Sequence, residues 1–394
     1  MKTQELSPAL VLIMAVATGI AVGCNYYAQP LLPTIARAFG VSSARAGFIV
    51  TTAQMGYGLG LLLIVPLGDL VERRGLVVAM SLLTAAGLVV TASAPSMHLV
   101  LAGTALTGLF SVVAQLLVPF AATLAAPERR GKVVGTVMSG LFLGILMARI
   151  VAGALANLGS WRTIYWVGAG AMLVTAAVLS RVLPRYHESV GLSYPQLMRS
   201  IIVLFRDEPV LRLRALLGAT AFGAFAVLWT SLSFLLAAPP YGYSAGTIGL
   251  FGLVGMAGAL AASGAGRMGD RGYGGRVTGW GLVLLLLSWA VLAFGVRSLA
   301  ALLAGIVLLD LAAQAIHISN QGAIYRIRPE ARNRLTAGYM TCYFIGGAVC
   351  SLLSASAYSV AGWVGVTAVG GAVSAVGLAG WALVCWRSPA HGKG

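Results

Sequence analysis

Residues 299–325, LAALLAGIVLLDLAAQAIHISNQGAIY, carry one acid, Asp310, in an otherwise apolar run. A helix crosses a bilayer core in about 20 residues, so this run is long enough to span one. Asp310, Gln314, His317 and Gln321 recur within it at i, i+4, i+7 and i+11. At ~100° per residue the four fall inside roughly 60° of arc, a single polar stripe. A carboxyl group at bilayer depth costs ~2.5–3.5 kcal/mol on insertion scales, so it faces protein or a watery cavity. The rest of the chain is read as a scaffold that gives this stripe something to face.

Composition supports that scaffold. Hydrophobic residues make up 59% of the chain and charged ones 9%, against about 25% charged in a soluble domain. The chain reads as an all-α, polytopic membrane protein. Its 51 glycines fit, because small residues let helices approach closely where lipid supplies no hydrophobic drive. Gly135–Gly144 and Gly249–Gly258 are such small-residue regions. Twelve apolar spans are expected, starting near Pro8, Ala44, Arg74, His98, Arg130, Trp161, Val210, Ala245, Gly275, Ser298, Asn333 and Gly362. Of the 26 Lys and Arg residues, only Arg37, Arg45, Arg162 and Arg297 fall opposite the N-terminal side, and Arg149 falls within a span. That bias explains the net charge of +16 without nucleic acid and predicts both termini in the cytoplasm. Cys24, Cys342, Cys350 and Cys385 lie in apolar spans with no ligand-like spacing. The first span lacks a small-residue cleavage site and reads as a retained helix.

The chain repeats itself. Gly68-Asp69 returns as Gly269-Asp270, Pro127-Glu128 as Pro329-Glu330 and Trp161 as Trp363, always shifted by 201 or 202 residues. Six spans repeated in one orientation is the parallel-repeat plan of a secondary transporter, with its site between the halves. The expected domains are bundles 1–183 and 210–394, joined by a basic linker, 184–209, with a surface helix from Gln196 to Phe205. The loop Pro66-Leu67-Gly68-Asp69-Leu70-Val71-Glu72-Arg73-Arg74 resembles the signature between helices 2 and 3 of the major facilitator superfamily. Val65 and Glu72 stand where that family usually has glycine. Gly266, Asp270 and Arg271 keep the corresponding slots of the second copy. Asn25-Tyr26-Tyr27-Ala28-Gln29-Pro30-Leu31-Leu32-Pro33 resembles the first-helix end of bacterial efflux members. Span 5 resembles the antiporter motif through Gly140 and Gly144 only, and Thr104 stands where span 4 often has a basic residue. The resemblance covers nearly the whole chain. It implies two six-helix bundles related by a pseudo-two-fold axis, in a bacterial inner membrane, with helices 1, 4, 7 and 10 lining a cavity.

No metal cluster or phosphate-cradling loop is present in the sequence. An enzyme is therefore not expected, nor a cofactor, and energy must come from an ion or solute gradient. Substrate-binding candidates are Asn25, Tyr26, Gln29, Gln54, Tyr57, Gln115, Trp229, Gln314, His317, Tyr339 and Tyr343. Thr18, Asn25 and Gln29 fall within ~40° of arc on helix 1. Phe222, Phe225, Trp229 and Ser233 stripe span 7, while Tyr339, Tyr343, Gly346, Cys350 and Ser354 stripe span 11. Packing between helices is the bland alternative for these aromatic and amide groups. Asp310 is the expected proton-binding residue, with His317 as a relay. Arg149, at a compatible depth, is its expected ion-pair partner. The resemblance implies a cytoplasmic gate at Gly68, Asp69, Arg73, Arg74, Gly266, Asp270 and Arg271, with Asp69 closing on the start of span 11. Arg149 is the one candidate cation of the cavity, which argues against phosphate or dicarboxylate carriers. The expectation is a monomeric, proton-coupled exporter of a small neutral or amphipathic molecule. The alternative is a proton symporter importing a sugar-like or other polar solute.

Overall fold

The computed structural model describes residues 7–126, 129–187, 191, 193–261, 268, 273–328 and 331–387, and every regular element among them is helical. In chain order these are α1 (Pro8–Gly23), α2 (Leu32–Phe39), α3 (Ser43–Leu63), α4 (Arg73–Ser93), α5 (Met97–Phe110), α6 (Val113–Leu124) and α7 (Arg130–Leu158). There follow α8 (Thr163–Val182), α9 (Tyr194–Asp207), α10 (Pro209–Ala237), α11 (Ala245–Ala261), α12 (Gly274–Ala293), α13 (Leu299–Ile324) and α14 (Arg332–Arg387). Local chemistry sets the starts. Ser7, Ser96 and Ser298 each accept a backbone N–H from the first turn that follows. Pro209 opens α10, where its missing N–H costs nothing. Nine helical stretches among the described residues are long and apolar enough to cross a membrane; Pro8–Gly23 and Ala245–Gly258 are apolar but shorter. The longest, α14, is interrupted at Gly362 (φ 57°, ψ −145°), a backbone region essentially reserved for glycine and the place where a new span was expected.

The first and fourth expected spans are not continuous helices. After Gly23 the chain turns through three-residue hydrogen bonds, Asn25 N to Val22 O, Tyr26 N to Gly23 O and Gln29 N to Tyr26 O. Pro30 has no N–H to return to Tyr26, and the tighter pitch advances ~120° per residue. Thr18, Asn25 and Gln29 therefore do not share the arc that a straight helix would give them. The fourth span breaks at Ser111–Val112, between α5 and α6. There the Ser111 hydroxyl donates to Gly108 O, competing with the helical ladder.

Contacts divide the structure into two compact units. One holds α1, α2, α3 from Thr52, α4 to α8 and α11 as far as Gly252. The other holds Ser42–Thr51, α10, α11 from Leu253, α12, α13 and α14, with α9 divided at Leu197. Small residues make the close contacts in both. In the first unit, Gly140 and Gly144 lie so near Ala15 and Gly19 that a methyl group on either would overlap α1 backbone. These two glycines thus seat α7 on α1. The repeat shift also recurs in packing. Gly56 lies against Ala105 O and Leu109 N, while Gly258 lies against Val307 O and Leu311 N, every residue displaced by 202. The connection 184–209 contains α9, which buries Leu197, Ile201 and Leu204 and exposes Ile202. Pro127, Glu128, Gly266, Gly269, Asp270, Arg271, Pro329 and Glu330 lie outside the described residues.

Candidate functional site

The polar stripe Asp310, Gln314, His317 and Gln321 lies on the unbroken helix α13. Asp310 is 3% exposed; Gln314, His317 and Gln321 are part-buried. The Trp229 indole Nε1 donates to Asp310 Oδ1 at 3.2 Å. A methyl group at Gly255 would overlap Asp310 Oδ2 and the Trp229 ring, and one at Gly258 would crowd the Asp310 Cβ. The repeat clarifies the arrangement. Asp310 occupies the slot of Gly108, which packs against Ala53, and Gly255 occupies the slot of Ala53. The second copy thus exchanges a glycine for an acid and an alanine for a glycine, so the carboxyl group gains room exactly where the first copy needs none.

From Trp229 an aromatic run continues through the same unit. Trp229 meets Phe225 (centroids 6.0 Å), Phe225 stacks on Phe222 (5.5 Å), and Phe222 stacks on Tyr343 (4.1 Å). Tyr343 reaches His317 (4.8 Å), whose Nδ1 lies 3.0 Å from the Tyr339 hydroxyl. The expected stripes of spans 7 and 11 therefore meet at Phe222 and Tyr343, whereas Ser354 and Gly346 of the second rest on Ser231 (hydroxyls 2.6 Å apart) and Ala219, which lie off the first. Tyr339, fully buried, is packed beneath Gly218. On the same helix as His317, Asn320 Oδ1 accepts from Arg214 Nη1 at 3.2 Å. Arg214, counted in the sequence as a cytoplasmic charge, also donates to Thr278 and lies over the Trp381 ring. Sequence periodicity carries no signal for that network.

The other unit gathers most of the remaining candidates. Arg149, 5% exposed, donates from Nε to Gln29 Oε1 at 2.8 Å and lies over the Tyr26 ring (5.3 Å). Asn25 Nδ2 donates to Ser111 Oγ at 2.6 Å, and Gln115 Nε2 to Tyr57 Oη at 3.4 Å. Gln54 is buried one turn before Tyr57 on α3. Asn25 and Ser111 thus join the two places where expected spans lose helical form. Such backbone is tolerated within a membrane where it is buried in protein or lines a cavity, and broken helices form the binding sites of secondary transporters. Gln115 and His317, equivalent by the repeat, have different partners, Tyr57 and Tyr339.

At the loop 65–74, Arg73 pairs with Asp69 at 3.7 Å, donates to Gly68 O and the Thr123 hydroxyl, and lies over Tyr186. Glu72, where the family pattern has glycine, caps α4 by accepting Arg74 N and Gly75 N at 2.8 Å each. Its carboxylate also accepts Tyr186 N, Arg73 N donates back to Tyr186 O, and Arg74 Nη1 reaches Leu183 O. The start of the linker is clasped to this loop. Burial pushes the Glu72 carboxyl up, but the three backbone N–H bonds and Arg74 outweigh it and hold the group below the ordinary carboxylate range.

An all-helical fold rich in apolar helices, internally repeated, with its acid and amides buried among them, defines a membrane transporter. The family model of the Major Facilitator Superfamily matches residues 14–280, and the chain belongs to that superfamily. Among relatives, the uncharacterized transporter YgaY of Escherichia coli O157:H7 is 59% identical over 384 residues, covering 98% of this chain and 96% of its own. SCO4007 of Streptomyces coelicolor, named a probable transporter, is 33% identical over 96% of this chain and 86% of its own. In fold, the chain is similar to a bacterial homolog of the human lysosomal transporter Spinster (TM-score 0.79, 15% identity, 97% and 96% of the two chains). It is similar also to the nucleoside transporter NupG (TM-score 0.75, 13% identity, 95% and 99%).

Proposed function

We propose that this transporter exports a small neutral or amphipathic organic molecule in exchange for protons, with Asp310 as the proton-binding group. The observation that carries the reading is the setting of Asp310: a carboxyl group buried within a membrane-spanning helix, received by an indole donor and two glycines. Burying a carboxylate is costly enough that such groups mark ion or proton pathways. Arg149 is the proposed charge partner, by the depth argument from sequence, and His317, bonded to Tyr339, a relay. Asn25, Tyr26, Gln29, Gln54, Tyr57 and Gln115 are proposed to meet substrate from one half, and Trp229, Gln314, His317, Tyr339 and Tyr343 from the other. Asp69 and its neighbours, with Gly266, Asp270 and Arg271, form the proposed cytoplasmic gate. Bundles 1–183 and 210–394 are the proposed moving bodies, in a bacterial inner membrane with both termini in the cytoplasm.

The test is the direction of proton movement. Purified protein is reconstituted in vesicles with an internal pH dye, and an outward gradient of each solute in a neutral and amphipathic panel is imposed. Proton entry as solute leaves is expected. Protons leaving together with the solute would make the protein a symporter, and solute flux with no proton movement would defeat the coupling altogether.

A further inference from the structure

Away from Asp310, the first unit contains a cavity of about 10 Å³, lined by Cys24, Asn25, Ala28, Ala53, Thr91, Thr104, Thr107 and Tyr165. Four of these residues carry a side-chain atom, Asn25 Oδ1, Thr104 Oγ1, Thr107 Oγ1 or Tyr165 Oη, that is buried without a hydrogen-bond partner among the described residues. They come from the turn after α1, from α5 and from α8. Thr104, Thr107 and Tyr165 are each more than nine-tenths buried. Thr84, Thr91, Thr123, Thr136 and Thr341 satisfy their hydroxyls on the carbonyl four residues back. Thr104 and Thr107 do not use that option. Gly87 and Gly103 bring α4 and α5 into backbone contact beside the cavity.

We propose that this cavity is a binding site for a single water molecule that joins the end of α1 to α5 and α8. Its size matches the ~10–15 Å³ one water requires, and four polar partners match the two to four that buried waters use. Donors and acceptors are both at hand, since each hydroxyl offers either and the Asn25 carbonyl accepts. A monovalent cation of similar size is disfavoured because the lining carries no charge to offset the loss of its hydration shell. The water would fix the Asn25 amide, whose Nδ2 is already held by Ser111.

Thermal unfolding of the full chain in lipid nanodiscs gives the test, because the sign of the change decides. Thr107→Val keeps the shape and removes one partner. With a bound water, the variant melts lower by about 2–4 °C. Tyr165→Phe behaves alike, and the double variant loses less than the sum because both act through one water. In a dry cavity each substitution would delete an unpaired buried hydroxyl, so an unchanged or higher melting temperature in both single variants overturns the proposal. Stabilisation of the unsubstituted protein by sodium over choline, lost in Thr107→Val, would show a cation site and overturn it equally. A map at waters' resolution gives a readout independent of the variants: density between Asn25 and Tyr165 is expected, and none would contradict it.

Discussion

At the scale of the residue, Asp310 depends on what is missing beside it. Gly255 provides the space for the carboxyl oxygen, and Trp229 the donor. Inserting one methyl group into such a contact forces the carboxylate or the indole out of place, at a cost of ~1–3 kcal/mol. Gly255→Ala is expected to reduce proton-linked transport at least tenfold while the protein still reaches the membrane. Gly135→Ala, on a helix position with open space around it, should transport as the parent does. Equal rates in the two variants would remove Asp310 from the account. The stripe itself was readable, because its spacing needs only a regular helix, and α13 is one. Its surroundings were not: Gly255 is one glycine among many in an apolar run, and only the fold sets it against residue 310.

At the scale of the element, span starts followed hydropathy and caps closely, since Pro8, Ala44, Arg74 and Pro209's neighbour Val210 fall within a residue of helix starts. The two breaks did not show. Pro30 was a signal for the first, acting back on Tyr26, whereas Ser111 resembles any other helical serine until Asn25 is placed beside it. The facing of α10 and α14 was equally hidden, because helices apolar on all sides give periodicity nothing to separate a packed face from a cavity. Glu72 is the clearest local surprise: where the family pattern has glycine, it caps α4 and holds Tyr186. Its folded-state pKa lies below the ordinary value, so its stabilisation is present above the unfolded carboxylate pKa, ~4.3, and is lost as pH falls through the folded value. Trypsin cleavage at the exposed Arg185 should accordingly be slow at neutral pH. Glu72→Ala, which loses a cap worth about 0.5–2 kcal/mol, should be cut several-fold faster. Hydrogen exchange of Tyr186 should rise in the parent only below the carboxylate range and be high at every pH in the variant. Identical protection in both would show that the clasp holds nothing.

At the scale of the whole molecule, the repeat was legible because loop residues keep their identity across it, and glycine contacts displaced by 202 residues carry the same relation into packing. The superfamily follows from that plan and its loop residues. The substrate does not, because amides and aromatics that bind a solute are the same groups that hold helices together. The proposed coupling rests on one acid. Proton-driven flux and gradient-free solute exchange, compared in vesicles for the parent and Asp310→Asn, test it most directly. The variant is predicted to lose proton-driven flux and to retain exchange; undiminished proton-driven flux through Asp310→Asn would contradict the assignment.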